Sequence, residues 1–117
     1  MRSSVFDDSG KIIGDLVVTG DFTVSGTTST VSTTNTVVTD KLLELANGTS
    51  GTPSGDAGLI VERGSSDNAA LVWDESTDSW RASTTSATGA STGDLTLTDA
   101  AVSCSAVTAS GVVDITN

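Results

Sequence analysis

The sequence predicts an all-β protein of short strands, in which β-helix-like repeat segments of a shaft flank a small antiparallel β-meander. The strand-favouring residues Thr and Val alternate with the turn formers Gly, Asp, Asn and Ser along most of the 117 residues. A tandem hexad that begins with Gly-Asp repeats near the start. Three short apolar runs separated by polar turns follow it, and this pattern is typical of a meander.

The β-repeat segment, residues 14–50, opens with the hexads Gly-Asp-Leu-Val-Val-Thr and Gly-Asp-Phe-Thr-Val-Ser over residues 14–25. Side chains two residues apart lie on the same face of a strand, so the apolar residues at even positions share one face. Gly at each hexad boundary permits a sharp turn, which suits a β-helix or an intertwined fibre. We expect four side chains to point together into a core or an interface: Leu16, Val18, Phe22 and Val24.

Two further stretches complete this segment. Residues 27–35 are almost entirely Thr, Ser and Val, which predicts an exposed extended strand. Residues 39–48 fit either a strand or a short helix, because Asp40 can cap a helix and Asn47 with Gly48 can end one. We favour the strand.

The β-meander, residues 51–85, starts in a Gly-containing loop and continues with the runs Leu-Ile-Val-Glu, Ala-Ala-Leu-Val-Trp and Trp-Arg-Ala. Turn clusters at residues 64–68 and 74–78 separate these runs, which predicts three antiparallel strands. The large apolar side chains of the three strands are candidates for the core or for an interface: Leu59, Val61, Leu71, Trp73 and Trp80.

The C-terminal β-repeat segment, residues 86–117, overlaps a low-complexity stretch at residues 83–93. This stretch of Ser, Thr, Ala and Gly predicts a flexible linker or an extended piece of shaft. At residues 93–98, Gly-Asp-Leu-Thr-Leu-Thr repeats the opening motif. Cys104 lies among Ala, Val and Ser, so we expect a small buried apolar side chain there rather than an interchain disulfide or a reactive thiol.

Composition excludes several classes of chemistry. With no His and one Cys, the chain can assemble neither a Ser/His/Asp or Cys/His triad nor a His-bearing metal site. The acids Asp74, Glu75 and Asp78 fall in one turn, where capping of backbone amides is expected ahead of a glycosidase pair or a calcium site. We therefore predict a non-enzymatic protein with no catalytic residue, no metal and no cofactor.

Trp73 and Trp80 admit two interpretations. Both flank a single predicted hairpin turn, in a chain of which 3% of the residues are aromatic. Packing of the two indoles is favoured, because each buries a large apolar area. The alternative is a sugar-stacking platform, which would make the protein a carbohydrate-binding module that contacts a host surface glycan.

Charge and length bear on the partners of the chain. The net charge of −10, with five Lys and Arg in total, disfavours binding to nucleic acid or to an anionic membrane. No apolar run is long enough for membrane insertion, and residues 1–5 lack the apolar region of a secretion signal. A chain this short and this poor in aromatic residues buries little surface alone, so association with copies of itself is expected.

One further signal comes from the order of the motifs. The hexads, the Thr-rich stretch, Gly-Leu-Ile-Val-Glu-Arg-Gly at residues 58–64 and Ala-Leu-Val-Trp-Asp-Glu at residues 70–75 follow one another. This order resembles the tail-fibre and related virion structural proteins of tailed bacteriophages, notably marine and cyanobacterial ones. The resemblance covers residues 14–85 and implies an intertwined homotrimeric β fibre on the surface of the virion, assembled in the cytoplasm of the bacterial host.

The resemblance leaves a second function open. Fibres of this kind are usually long chains with a receptor-binding tip, and this sequence stops at residue 117 soon after the repeat resumes. A capsid decoration (cement) protein or a head spike at threefold sites is therefore the alternative. Residues 1–13 are then the candidate docking segment toward other phage structural proteins of the capsid, tail or baseplate, through Arg2, Val5, Phe6 and Lys11.

Overall fold

The computed structural model describes residues 8–116, which divide between two compact units, residues 1–39 and residues 40–117. All of the regular secondary structure in this described range is β, which confirms the all-β class. Every strand belongs to the second unit. The strands are β1 Ala57–Arg63, β2 Ser66–Asp74, β3 Ser79–Thr85 and β4 Thr98–Asp99.

The four strands form one antiparallel sheet in the order β1-β2-β3-β4. Leu59 faces Leu71 across β1 and β2, and Ala70 faces Ser83 across β2 and β3. Gly64 (φ 71°) lies in the β1–β2 turn, where a left-handed backbone suits glycine. The predicted meander therefore forms as three antiparallel strands, to which β4 adds a short fourth.

The two faces of the sheet differ in burial. Within the described range, every buried side chain lies on one face, here named the inner face: Ala70, Val72, Asp74, Ser83 and Thr85. The opposite face, here named the outer face, carries the large apolar residues predicted from the meander. Val72, at 1% exposure, is the largest buried apolar side chain, so the core of the sheet is small.

Residues 86–97, here named the return segment, lie against the inner face and bury it. The side-chain amide of Asn68 donates to the carbonyl of Ala87 (2.9 Å). The hydroxyl of Thr85 donates to the carbonyl of Thr96 (2.8 Å). Since Asn68 and Thr85 face each other across β2 and β3, these two bonds fasten both ends of the return segment to the same end of the inner face.

Asp56 fastens the return segment to the rest of the sheet. Its Oδ1 accepts a hydrogen bond from the backbone N–H of Glu75 (2.9 Å), and its Oδ2 accepts one from the N–H of Leu95 (2.8 Å). The N–H of Asp56 itself donates to the carbonyl of Gly93 (3.0 Å). One residue thus joins the start of β1, the β2–β3 turn and the return segment.

Three predictions from the sequence are wrong. The linker or shaft expected over residues 83–93 is instead the end of β3 and most of the return segment, because the backbone carbonyls of Ala87 and Gly93 accept hydrogen bonds from Asn68 and Asp56. Neither the strand favoured for residues 39–48 nor the alternative helix forms, because Ala46 (φ 57°) makes a turn in which its carbonyl accepts from the N–H of Thr49. Cys104 is exposed rather than buried, since the residues around it form no strand that would cover the thiol.

The hexads form no β-ladder within the described range. Residues 14–35 are exposed and lie in no strand, so the extended strand expected over residues 27–35 does not form either. A strand requires backbone hydrogen-bond partners, which the described residues do not supply to this stretch. The four side chains expected to point inward are between 44% and 70% exposed: Leu16, Val18, Phe22 and Val24. They form no core within one chain, and their place in an interface between copies stays a prediction.

Candidate interaction surface

The outer face brings together five apolar residues that the sequence analysis had singled out. The register places Leu59 opposite Leu71 and Trp73 opposite Trp80, so alternate positions of three strands share this face. Leu59 is 52% exposed and Leu71 50% exposed, while Val61 and Trp80 are more exposed still. Trp73 is half-buried. The chain assembles this apolar surface but does not cover it.

Trp73 and Trp80 form an edge-to-face pair at one end of the outer face. Their ring centroids are 5.7 Å apart and the ring planes meet at 76°. Such a pair sets the positive edge of one ring against the negative face of the other and contributes about 0.5–1.5 kcal/mol beyond burial. Because Trp80 still exposes 67% of its surface, the pair is only partly packed.

The middle of the outer face carries no charge. Arg63 and Asp67 lie at its β1–β2 end, where the Arg63 guanidinium donates to the Asp67 carbonyl (3.0 Å). The remaining positions of the face are occupied by small side chains: Ala57, Ala69, Ala82, Thr84 and Thr98. The outer face is therefore a neutral apolar surface on a chain of net charge −10.

The acidic turn belongs to a network on the inner face. Asp74 is buried, and its Oδ1 accepts from the N–H (3.0 Å) and the hydroxyl (2.6 Å) of Ser76. Its Oδ2 pairs with the Arg81 guanidinium (2.8 Å), which also donates through Nε to Asp99 (2.8 Å). The Ser76 hydrogen bonds, followed by Arg81, hold the pKa of the Asp74 carboxyl well below its usual range.

This network orders the turn and ties β4 to β3. A general acid must carry a proton near neutral pH, whereas both oxygens of Asp74 accept hydrogen bonds as a carboxylate. Asp78 is exposed, and the backbone of Glu75 is bound to Asp56, so the three acids of the turn do not converge on one cavity. In residues 8–116, no group of three or more His, Cys, Asp and Glu side chains could hold a metal ion.

The buried inner face and Asp56 were not identified from the sequence. The alternation of Ala70 and Val72 with Leu71 and Trp73 is the signal that separates the two faces of β2. For Asp56 the only local signal is a Gly-Asp dipeptide, because the two backbone N–H groups that its carboxylate accepts from lie 19 and 39 residues away.

The other residues singled out from the sequence are the four hexad side chains and the four candidate docking residues. The four hexad side chains belong to the first unit. Three of the candidate docking residues fall outside the described residues: Arg2, Val5 and Phe6. The fourth, Lys11, is exposed.

Comparison with known proteins gives no relative: no family model matches the chain, and neither a curated protein nor a solved structure does. Among the residues that the structure describes, no helix is long and apolar enough to cross a membrane. The chain is thus defined by its own features, an all-β fold with a four-stranded antiparallel sheet and an uncovered apolar face.

Proposed function

We propose that this protein is a non-enzymatic structural component of a tailed-phage virion, a homotrimer of the tail-fibre type. The observation that carries the proposal is the exposure of large apolar side chains in both units. Among the described residues, the four hexad side chains and four of the five large apolar residues of the outer face each expose between 44% and 70% of their surface. A subunit that intertwines with other copies in an assembly has such exposed apolar side chains when it is taken alone.

Both units contribute to that surface. The second unit leaves the outer face uncovered, and the first unit leaves the hexad side chains exposed without strand partners. Further copies of the chain can cover the apolar faces and pair with the hexads, because each copy carries the same edges and faces. The number three comes from the resemblance of the motif order to phage fibre proteins.

The acidic network supports a mechanical role. Asp74 is held ionised by Ser76 and Arg81, which suits a group that orders a turn rather than one that transfers protons. The chain has no His to activate a nucleophile. A fibre subunit needs neither function.

Two measurements test this proposal. Sedimentation equilibrium of the purified chain should give three times the 11.7 kDa of one copy, and a monomer at micromolar concentration would contradict it. Quantitative mass spectrometry of purified virions should find a few trimers per particle. A copy number close to that of the major capsid protein would instead indicate the capsid decoration or head-spike function, and absence from the virion would refute the proposal.

Attachment to the virion is assigned to residues 1–13, which carry the basic and apolar side chains that precede the repeat. Deletion of residues 1–13 should remove the protein from assembled particles and leave the trimer intact. Particles that still incorporate the shortened chain would place the docking contact elsewhere.

The exposure of Trp80 favours a second candidate function, carbohydrate binding. An indole with a free face is suited to stack on a sugar ring, and the host surface of a phage is rich in glycans. A glycan array of the wild-type chain and of Trp80→Ala, with circular dichroism to verify the fold, separates the two functions. Binding that disappears in Trp80→Ala would support the second candidate, and no binding by the wild type would eliminate it.

A further inference from the structure

We propose that the outer face of the sheet is the surface through which copies of this chain meet, with three sheets packed face to face around a common axis. The inference rests on the self-association proposed above and adds its contact surface and its occupant, the same face of a second copy. Four of the five large apolar residues on this face expose half of their surface or more: Leu59, Val61, Leu71 and Trp80.

The edges of the sheet are protected, which leaves the outer face as its open surface. β1 forms one edge, where a bulge between Val61 and Arg63 interrupts the regular ladder next to the charged Glu62. β4 forms the other edge and is two residues long. Bulges, charges and short strands all oppose the addition of a further strand. The outer face carries no such feature between its two ends.

Charge favours a second copy as the occupant. Chains of net charge −10 repel one another, and the repulsion is smallest when they meet at a surface that carries no charge. On the sheet, Asp56 and Asp74 are bound in contacts with the return segment, the β2–β3 turn and Arg81. Copies can therefore pack through the uncharged middle of the outer face without removing a carboxylate from water. Apolar packing requires no opposite charge on the partner, so the outer face of one copy can pack against the outer face of another.

The size of the outer face limits how much of the interface it can supply. Three strands of about seven residues span about 23 Å by 14 Å, which is about 330 Å². A stable interface buries about 800 Å² on each partner. Contacts outside the outer face must supply the remainder, so loss of the outer-face contact should weaken the trimer without abolishing it at high concentration.

Tryptophan fluorescence reports on the outer face in the unmodified protein, because both Trp residues of the chain lie there. Emission and acrylamide quenching are compared above and below the concentration at which the trimer dissociates in sedimentation runs. Blue-shifted emission and at least about twofold weaker quenching are expected in the trimer. Tryptophans quenched equally in trimer and monomer would overturn the inference and leave the proposed function standing, whereas a chain that never associates would overturn both.

A substitution at the centre of the face gives the second test. Leu71→Glu would place one carboxylate from each copy in the contact, and the trimer should dissociate at a protein concentration about tenfold higher than the wild type. Leu71→Thr keeps a strand-favouring residue while removing most of the apolar contact, so it guards against a failure to fold. Ser86→Glu, at an exposed position next to the sheet, adds the same charge outside the face. Dissociation of both Leu71 variants at the concentration found for Ser86→Glu would show that another surface joins the copies.

Discussion

Replacement of Gly58 by Ala tests how closely β1 and β2 approach each other. Gly58 lies opposite Val72 in the ladder. A Cβ atom added at Gly58 would lie 2.6 Å from Val72 Cα and 2.9 Å from Val72 Cγ1. Carbon atoms in contact are normally about 3.5–4.0 Å apart, so β1 has to move about 1 Å away from β2 to admit the methyl group.

The cost of Gly58→Ala follows from what would have to move. The nearest obstacle is backbone, so a side-chain rotation cannot relieve the overlap. Val72 is also 1% exposed, which leaves it little room to shift. Overpacking of this kind costs about 1–3 kcal/mol, and the ladder hydrogen bonds stretched by the shift place Gly58→Ala near the upper end of that range.

Gly89→Ala is the matched control. No atom lies within 4 Å of a Cβ added at Gly89. The free energy of unfolding should therefore stay unchanged or rise by up to about 1 kcal/mol, because Ala restricts the unfolded chain. Urea denaturation followed by circular dichroism, at one fixed protein concentration, measures both variants. Equal stability of Gly58→Ala and Gly89→Ala would refute the close approach of the two strands.

Three other changes probe the inner face and are measured by the same urea denaturation. Asp56→Asn leaves one of two backbone N–H groups without its carboxylate acceptor and should lower the free energy of unfolding by about 2 kcal/mol, whereas Asp94→Asn at an exposed position should have no effect. Ser83→Ala should raise it by about 1 kcal/mol, because the Ser83 hydroxyl is buried without a hydrogen-bond partner among the described residues; a loss of stability would reveal a partner. The folded pKa of Asp74 is lowered, so its stabilisation is complete above the unfolded pKa of about 3.9 and is lost as the pH falls below it. Asp74→Asn should flatten that acid dependence, and identical pH profiles for wild type and variant would contradict the assignment.

The sheet could be predicted because its signals are local. The runs around Leu59, Leu71 and Trp80 fall within β1, β2 and β3. The turns between them are shorter than the predicted clusters at residues 64–68 and 74–78, because residues 66–68 and Asp74 belong to β2. Alternation of period two also places these side chains on a common face once the strands pair. Which face the chain buries does not follow from alternation, since the covering segment is distant in sequence.

The return segment could not be predicted because its contacts join distant residues. Ser, Thr, Ala and Gly in this order indicate flexibility, and nothing nearby shows that the carbonyl of Ala87 accepts from Asn68, 19 residues before it. For the hexads, the missing information is the strand that pairs with them. Their alternation identifies the apolar side, but the described residues of one chain do not supply the strand that would pair with them.

The contact between Gly55 and Gly93 determines how the strands β1, β2 and β3 are inserted into the chain. A Cβ added at Gly55 would lie 3.3 Å from Gly93 Cα, and the neighbouring Asp56 donates to the Gly93 carbonyl. The backbone thus departs at Gly55 and comes back to the same place 38 residues later, at Gly93. A segment whose two ends adjoin can be lengthened or exchanged without altering the spacing of the segments that flank it. Variation in evolution can therefore reshape residues 55–93 as one insertion, provided that β3 keeps its pairing with β4.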